Sequence, residues 1–130
     1  NGTFMDATST AIDERSAFGM SQSFGDYNRD GLMDVYVGNM YSSAGTRVTY
    51  QRKLLEPHSD QVVAQVQRMA RGNTLFANVG DHAFRDVSEL AAVTMGRWAW
   101  ASKFVDLNND GWQDLVITIG YVTNTDSGEL

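Results

Sequence analysis

FVDLNNDGWQDLVITIG, residues 104–120, gathers Asp106, Asn108, Asp110 and Asp114 into one short loop and then enters an almost uncharged run of β-formers. Carboxylates this close repel one another unless something positive sits among them. The loop reads D-x-N-x-D-G-x-x-D, with Gly111 at the sixth position, where a sharp turn favours a residue without a Cβ. The same nine-residue pattern stands at 26–34, as Asp26, Asn28, Asp30, Gly31 and Asp34. A motif that occurs twice invites comparison of its surroundings, and they repeat as well.

Residues 1–40 laid on residues 81–120 align without a gap at an offset of 80. Phe4 matches Phe84, Asp6 matches Asp86, Ala11 matches Ala91 and Phe24 matches Phe104, in addition to the loops. Before the first loop, Phe18, Met20, Gln22 and Phe24 alternate with Gly19, Ser21, Ser23 and Gly25. Before the second, Trp98, Trp100, Ser102 and Phe104 alternate with Ala99, Ala101, Lys103 and Val105. This period of two predicts strands with large residues on one face and mostly small ones on the other. The small face would let another sheet approach closely, and the two tryptophans are expected to pack between sheets. The apolar runs at 35–37 and 115–119 predict strands buried on both faces. In NTLFANVGDHAFRDVS, residues 73–88, two β-runs flank Gly80-Asp81, a hairpin signal. Asn1-Gly2 ahead of TFMDA reads as the second half of a similar hairpin.

Between the repeats, EPHSDQVVAQVQRMARG (56–72) places Val62, Val63, Val66, Met69 and Ala70 on one helical face. Ser59 or Asp60 suits the helix start, Arg68 and Arg71 suit its C-terminal dipole, and Gly72 suits the C′ position. Treating 41–72 as an insertion of 32 residues reduces the 80-residue offset to a unit of 48. That is about the 40–50 residues of a four-stranded propeller blade. The expected fold is mainly β: about one full propeller blade plus parts of two others, with one inserted α-helix. Residues 1–40 would hold the end of one blade (strand 3–8) and the first half of the next (17–25, 33–39). The helical insertion occupies 41–72, and 73–130 would complete that blade (74–79, 82–88) and begin another (97–105, 114–120). On this reading the chain starts and stops inside blades, as a piece of something longer would, and open blade edges offer a route to self-association.

The bulk composition narrows the function. With 42% hydrophobic and 20% charged residues among 130, the chain has the make-up of one globular domain. No apolar run approaches the roughly 20 residues of a membrane helix. The absence of cysteine excludes disulfides, thiolate metal sites and a thiol nucleophile. A net charge of −6 argues against nucleic acid as a partner. Six of the 16 acids fall in the two loops, and two divalent cations would bring the formal charge to about −2.

Oxygen donors at positions 1, 3 and 5, a backbone carbonyl at 7 (Leu32, Trp112) and an acid at 9 match what Ca2+ asks of a ligand set. Mg2+ prefers to keep its own waters, and Zn2+ would want Cys or His. An EF-hand needs a Glu at position 12, where Val37 and Ile117 stand, and helices on both sides, where β-runs follow. The expectation is two Ca2+ sites: Asp26, Asn28, Asp30, Leu32 and Asp34; and Asp106, Asn108, Asp110, Trp112 and Asp114.

These loops with their β-runs resemble the FG-GAP/VCBS repeats of integrin α-subunit-like propellers. MYSSAGTRVTYQ, RMARGNTLFANVGDHAFRDVS and GRWAWASKFVDLNNDGWQDLVITIGYVTN resemble, more closely, the VCBS-repeat proteins that carry an ASPIC/UnbV domain, relatives of cartilage acidic protein. The resemblance covers nearly the whole chain and implies calcium sites in β-propeller blades of an exported protein. His82 stands where the family often has glycine, and no ASPIC/UnbV domain is present in these residues.

Other features have plainer readings. His58-Ser59-Asp60 holds the residue types of a hydrolase triad, but neighbours at a helix start cannot take up that geometry. His82 sits in a hairpin turn, Arg47, Arg52 and Lys53 form a modest basic cluster, and Asn1-Gly2-Thr3 has a glycosylation pattern. The functional expectation is a non-enzymatic, calcium-binding structural and recognition module of a secreted, periplasmic or extracellular β-propeller, with an unidentified protein or glycan partner. The alternatives are a carbohydrate-binding or cell-adhesion module and, third, a calcium-dependent hydrolase, which would need a base near an open coordination position.

Overall fold

Each repeat folds into an antiparallel strand pair joined by its acidic loop. The computed structural model describes residues 2–12, 18–40, 47–51 and 58–120. Strands β1 (Gly19–Gly25), β2 (Asp34–Asn39), β3 (Thr74–Asn78) and β4 (Phe84–Asp86) form one sheet in that order, and β5 (Ala99–Val105) and β6 (Asp114–Ile119) form a second. All neighbours are antiparallel, so the first sheet is a four-stranded meander of the propeller-blade kind and the second is the start of another. The fold is mainly β, with antiparallel sheets and a small helical addition, as a partial propeller requires.

The offset of 80 survives in the register. Gly25 pairs with Asp34 and Phe24 with Val35, while Val105 pairs with Asp114 and Phe104 with Leu115. Each pair also has a bulge in the same place, between Gly19 and Ser21 and between Ala99 and Ala101. A bulge inserts one residue and so exchanges the faces beyond it. This changes the expected place of the tryptophans. Ala99 is fully buried, whereas Trp100 is half exposed and its indole N–H donates to the Gly120 carbonyl. Trp98 is half-buried, its ring 6.0 Å from that of Trp100.

The small face of β1 meets β5, as the alternation predicts. Ser21 Oγ lies 3.0 Å from Ser102 Oγ and donates to the Ala99 carbonyl, and the Phe104 N–H donates to Ser23 Oγ. A Cβ on Gly25 would stand 2.6 Å from the Phe104 ring, so glycine is what lets that ring in. There Phe104 packs edge-on to Tyr36, with centroids 6.4 Å apart, and joins Leu75 in the core. Leu115, Ile117, Val87 and Val93 pack around them.

Three further expectations are corrected. The run at 3–8 is not a strand: residues 3–7 are irregular, with Phe4 and Met5 exposed. A single helical turn, α1 (Thr8–Ala11), follows, and Ile12 bridges to Phe84. A β-run without a partner makes no ladder, and no described strand lies beside this one. β6 is half-buried rather than buried on both faces, because among the described residues it has a neighbour only on the β5 side. The third correction concerns the helix.

Helix α2 (Asp60–Ala70) forms where the periodicity places it, and Gly72 just beyond takes φ 115°. Ser59 occupies the N-cap, but its hydroxyl makes no capping bond; its carbonyl accepts the Val63 N–H. The buried residue of the helix is Arg68, whereas the apolar stripe is only partly covered. The Arg68 guanidinium donates to Thr74 Oγ1 (2.7 Å) and to Asp86 (2.9 Å). Arg71 donates to the same Asp86 carboxylate and to Glu89. The arginines expected to complement the helix dipole therefore bind the helix to β3 and β4. The parts of the insertion at 41–46 and 52–57, with Arg52 and Lys53, lie outside the described residues.

Burial works to raise the Asp86 pKa, but the Ser88 hydroxyl and N–H, together with Arg68 and Arg71, outweigh it and hold the carboxyl below its ordinary value. The folded chain thus binds this proton less tightly than the unfolded one. The stabilisation is complete above the unfolded value, about pH 3.9 for Asp, and is lost as pH falls through the folded pKa. Asp86→Asn should cost about 3 kcal/mol at pH 7 by leaving Arg68 under-compensated. Urea midpoints between pH 5 and 2 are expected to fall more steeply in the parent chain than in Asp86→Asn (a window set around the unfolded Asp value). Parallel curves would show that Asp86 is not a source of the acid sensitivity.

Candidate metal centre

The two acidic loops are the same object built twice. In the first, Asp26 accepts the N–H groups of Asp30 (3.0 Å) and Gly31 (2.9 Å); in the second, Asp106 accepts those of Asp110 (3.1 Å) and Gly111 (2.8 Å). Asn28 and Asn108 each accept the N–H two residues on and donate their amide to the carboxylate of Asp30 or Asp110. Asp30 and Asp110 in turn accept the N–H of Leu32 and Trp112, both at 2.8 Å. Asp34 and Asp114 close the loops by accepting the N–H of Tyr27 and Leu107. The turn uses left-handed backbone at matching places, φ 62° and 60° at Arg29 and Asn109, and φ 86° and 85° at Gly31 and Gly111. Glycine suits the second of these because its φ is poorly tolerated by residues with a Cβ.

The loops differ in their support. Asp34 is fully buried, and its second oxygen accepts the N–H of Asn78 on β3 at 2.8 Å. Asp114 is half-buried, as β6 has no strand beyond it among the described residues. Burial is the main cause that raises the Asp34 pKa; the Asn78 and Tyr27 N–H groups offset part of it, and Asp30 and Asp26 add to it. At the second loop the Trp112 N–H and the Asn108 amide hold Asp110 below its ordinary value, with a contribution from Arg29.

The donor set fits a hard cation in chemistry: carboxylate, amide and carbonyl oxygens, without sulfur or imidazole. The buried Asp34 carboxylate, beside two more of the same sign, is where a positive charge would relieve the electrostatics. In the folded arrangement these oxygens are turned onto backbone N–H groups rather than gathered round a centre. Among the described residues, no three His, Cys, Asp or Glu side chains stand close enough together to hold a metal ion. The structure thus brings each set of predicted ligands into one turn and leaves their convergence unmade.

The remaining candidates are dispersed. His82 is exposed in the β3–β4 turn at φ 61°, and His58 precedes α2. A cleft of about 420 Å³ beside α2 is lined by Tyr50, Gln67, Arg68, Arg71, Thr94 and Met95, but its arginines are already paired with Asp86 and Glu89. Asn1 of the glycosylation pattern lies outside the described residues. The sequence reading missed two contacts at the loops, the Asn78 N–H on Asp34 and the Arg29 guanidinium over Trp112. Each joins residues more than forty positions apart in the chain, so no local pattern pointed to them. No helix among the described residues is long and apolar enough to cross a membrane.

Comparison with known proteins gives two family matches. Residues 18–50 match the FG-GAP repeat, and residues 58–117 match the FG-GAP-like repeat. Each match contains one acidic loop with the strands on either side of it. No curated protein and no solved structure matches. Two matches along a chain whose acidic loops and flanking strand pairs repeat show that it carries FG-GAP repeats.

Proposed function

We propose that this chain is a non-catalytic, calcium-binding recognition module of an exported β-propeller, of the kind that also carries an ASPIC/UnbV domain. The observation that carries the reading is that the two loops fold alike, hydrogen bond for hydrogen bond, although few of the residues around them are identical. One Ca2+ would be held by Asp26, Asn28, Asp30, Asp34 and the Leu32 carbonyl, and a second by Asp106, Asn108, Asp110, Asp114 and the Trp112 carbonyl. The cation supplies positive charge to three carboxylates in each loop and stiffens the turn that joins the first two strands of a blade. Sites of moderate affinity suit the millimolar calcium outside cells.

The partner would be a protein or a glycan met by the surface that these turns hold in place. The half-exposed indole of Trp100 beside Trp98 supports carbohydrate binding as the second reading. Calorimetric titration with calcium is expected to give a stoichiometry of two, and magnesium is expected to bind much more weakly. The double variant Asp30→Ala with Asp110→Ala should bind neither cation. Absence of calcium heat, confirmed by equilibrium dialysis, would end the calcium reading.

A further inference from the structure

We propose that Arg29 couples the two acidic loops, so that a cation in the first loop tightens the second; the inference rests on the calcium reading above and deepens it. Arg29 is the fourth residue of the first loop, between Asn28 and Asp30, and its backbone is held at φ 62°. Its side chain leaves that loop and reaches the second one, in the neighbouring sheet. The guanidinium carbon lies 5.0 Å from the centre of the Trp112 ring. One of its nitrogens is 4.0 Å from where a Cβ on Gly111 would stand, so the absence of a side chain there leaves the approach open. Trp112 and Gly111 are the seventh and sixth residues of the second loop.

A planar guanidinium can lie against an indole face and keep its N–H groups solvated, which an ammonium does less well. Holding Trp112 also holds its peptide unit. The Trp112 N–H donates to Asp110 at 2.8 Å, and its carbonyl is the seventh-position donor. The first loop thus reaches the residue whose backbone organises the second. The second loop has Asn109 at the equivalent position, too short for a comparable arm, so the device is not part of the repeat.

Filling the first loop would fix the Asn28–Asp30 backbone and, with it, the root of the Arg29 side chain. Less ordering would then be left for the second cation to impose. The positive charge of Arg29 works the other way, against a second cation. Arg29 and Trp112 are both solvent-exposed, however, so the high dielectric of water weakens that repulsion, and titration in about 1 M salt, where the Debye length is about 3 Å, reduces it further. The net effect expected from an exposed guanidinium–indole contact is about two- to fivefold in affinity.

The test measures calcium affinity at the second loop by competition with terbium, whose emission Trp112 sensitises, in the full 130-residue chain. Four chains complete the cycle: the parent, Asp30→Ala, Arg29→Ala and the double variant. Asp30→Ala disables the first loop and is expected to weaken calcium at the second by about two- to fivefold in the parent background. In the Arg29→Ala background the same change should have no effect. Arg29→Lys, which keeps the charge and loses the plane, should behave like Arg29→Ala. Equal second-loop affinities in the parent and Asp30→Ala would overturn the coupling while leaving calcium binding intact. An Asp30→Ala effect that persists without Arg29 would overturn the role of that residue. Failure of equilibrium dialysis to find any calcium bound would overturn the calcium reading and the coupling together.

Discussion

Saturating calcium is expected to raise the thermal midpoint of this chain by roughly 15–25 °C over its value in excess chelator. A ligand at a hundred times its Kd adds about 2.7 kcal/mol per site, and a domain of about this size gains several degrees per kcal/mol. The chelated chain holds the buried Asp34 carboxylate beside Asp30 and Asp26 with only hydrogen bonds to compensate. A cation in that loop would remove this destabilisation and cross-brace β1 and β2. The first loop is thus expected to supply the larger share, and Asp30→Ala alone should lose more of the shift than Asp110→Ala alone. The double variant should melt at one temperature with or without calcium, and magnesium should move the parent only slightly. Were the parent midpoint also indifferent to calcium, the loops would be solvated acidic turns, and the recognition reading would rest on the FG-GAP repeats alone.

Truncation of two phenylalanines at one repeat position should separate repeat from context. Phe104 and Phe24 are both the last residue but one of the strand that enters an acidic loop, but Phe104 is 8% exposed and Phe24 is 60% exposed. Phe104→Ala removes a ring packed on Tyr36 and over Gly25, and should cost about 3–4 kcal/mol. Phe24→Ala should stay below about 1 kcal/mol, because little surface is returned to water. Urea denaturation of the two variants, with slopes like that of the parent, reads the difference directly. Losses of equal size would mean that the β1–β5 packing does not hold the sheets together.

Much of this architecture is legible in the residues, for a physical reason. A strand shows its period of two, a tight turn shows its glycine, and a duplicated loop shows its spacing, because each depends on neighbours a few positions away. The Gly80-Asp81 hairpin, the boundaries of α2 and the pairing of β1 with β2 and of β5 with β6 all follow from such signals. The candidate site was legible on the same terms, since all its donors lie within nine consecutive residues of one turn.

What was not legible depends on residues far apart in the chain. Strict alternation assigned Trp100 to the packed face, but the bulge that turns it outward arises from pairing with β6. The apolar stripe promised an ordinary amphipathic helix, yet its deepest side chain is Arg68, drawn in by Thr74 and Asp86. Residues 3–8 have the composition of a strand and no ladder to join.

By itself, then, the sequence determined the strands on either side of each acidic loop, the turns and the two loops themselves, because local stereochemistry is written in local order. The tertiary structure alone decided which phenylalanine is buried, which aspartate is deprived of water and which arginine reaches the opposite loop. Burial and charge proximity are properties of the space between segments, and that space exists only once the sheets have packed.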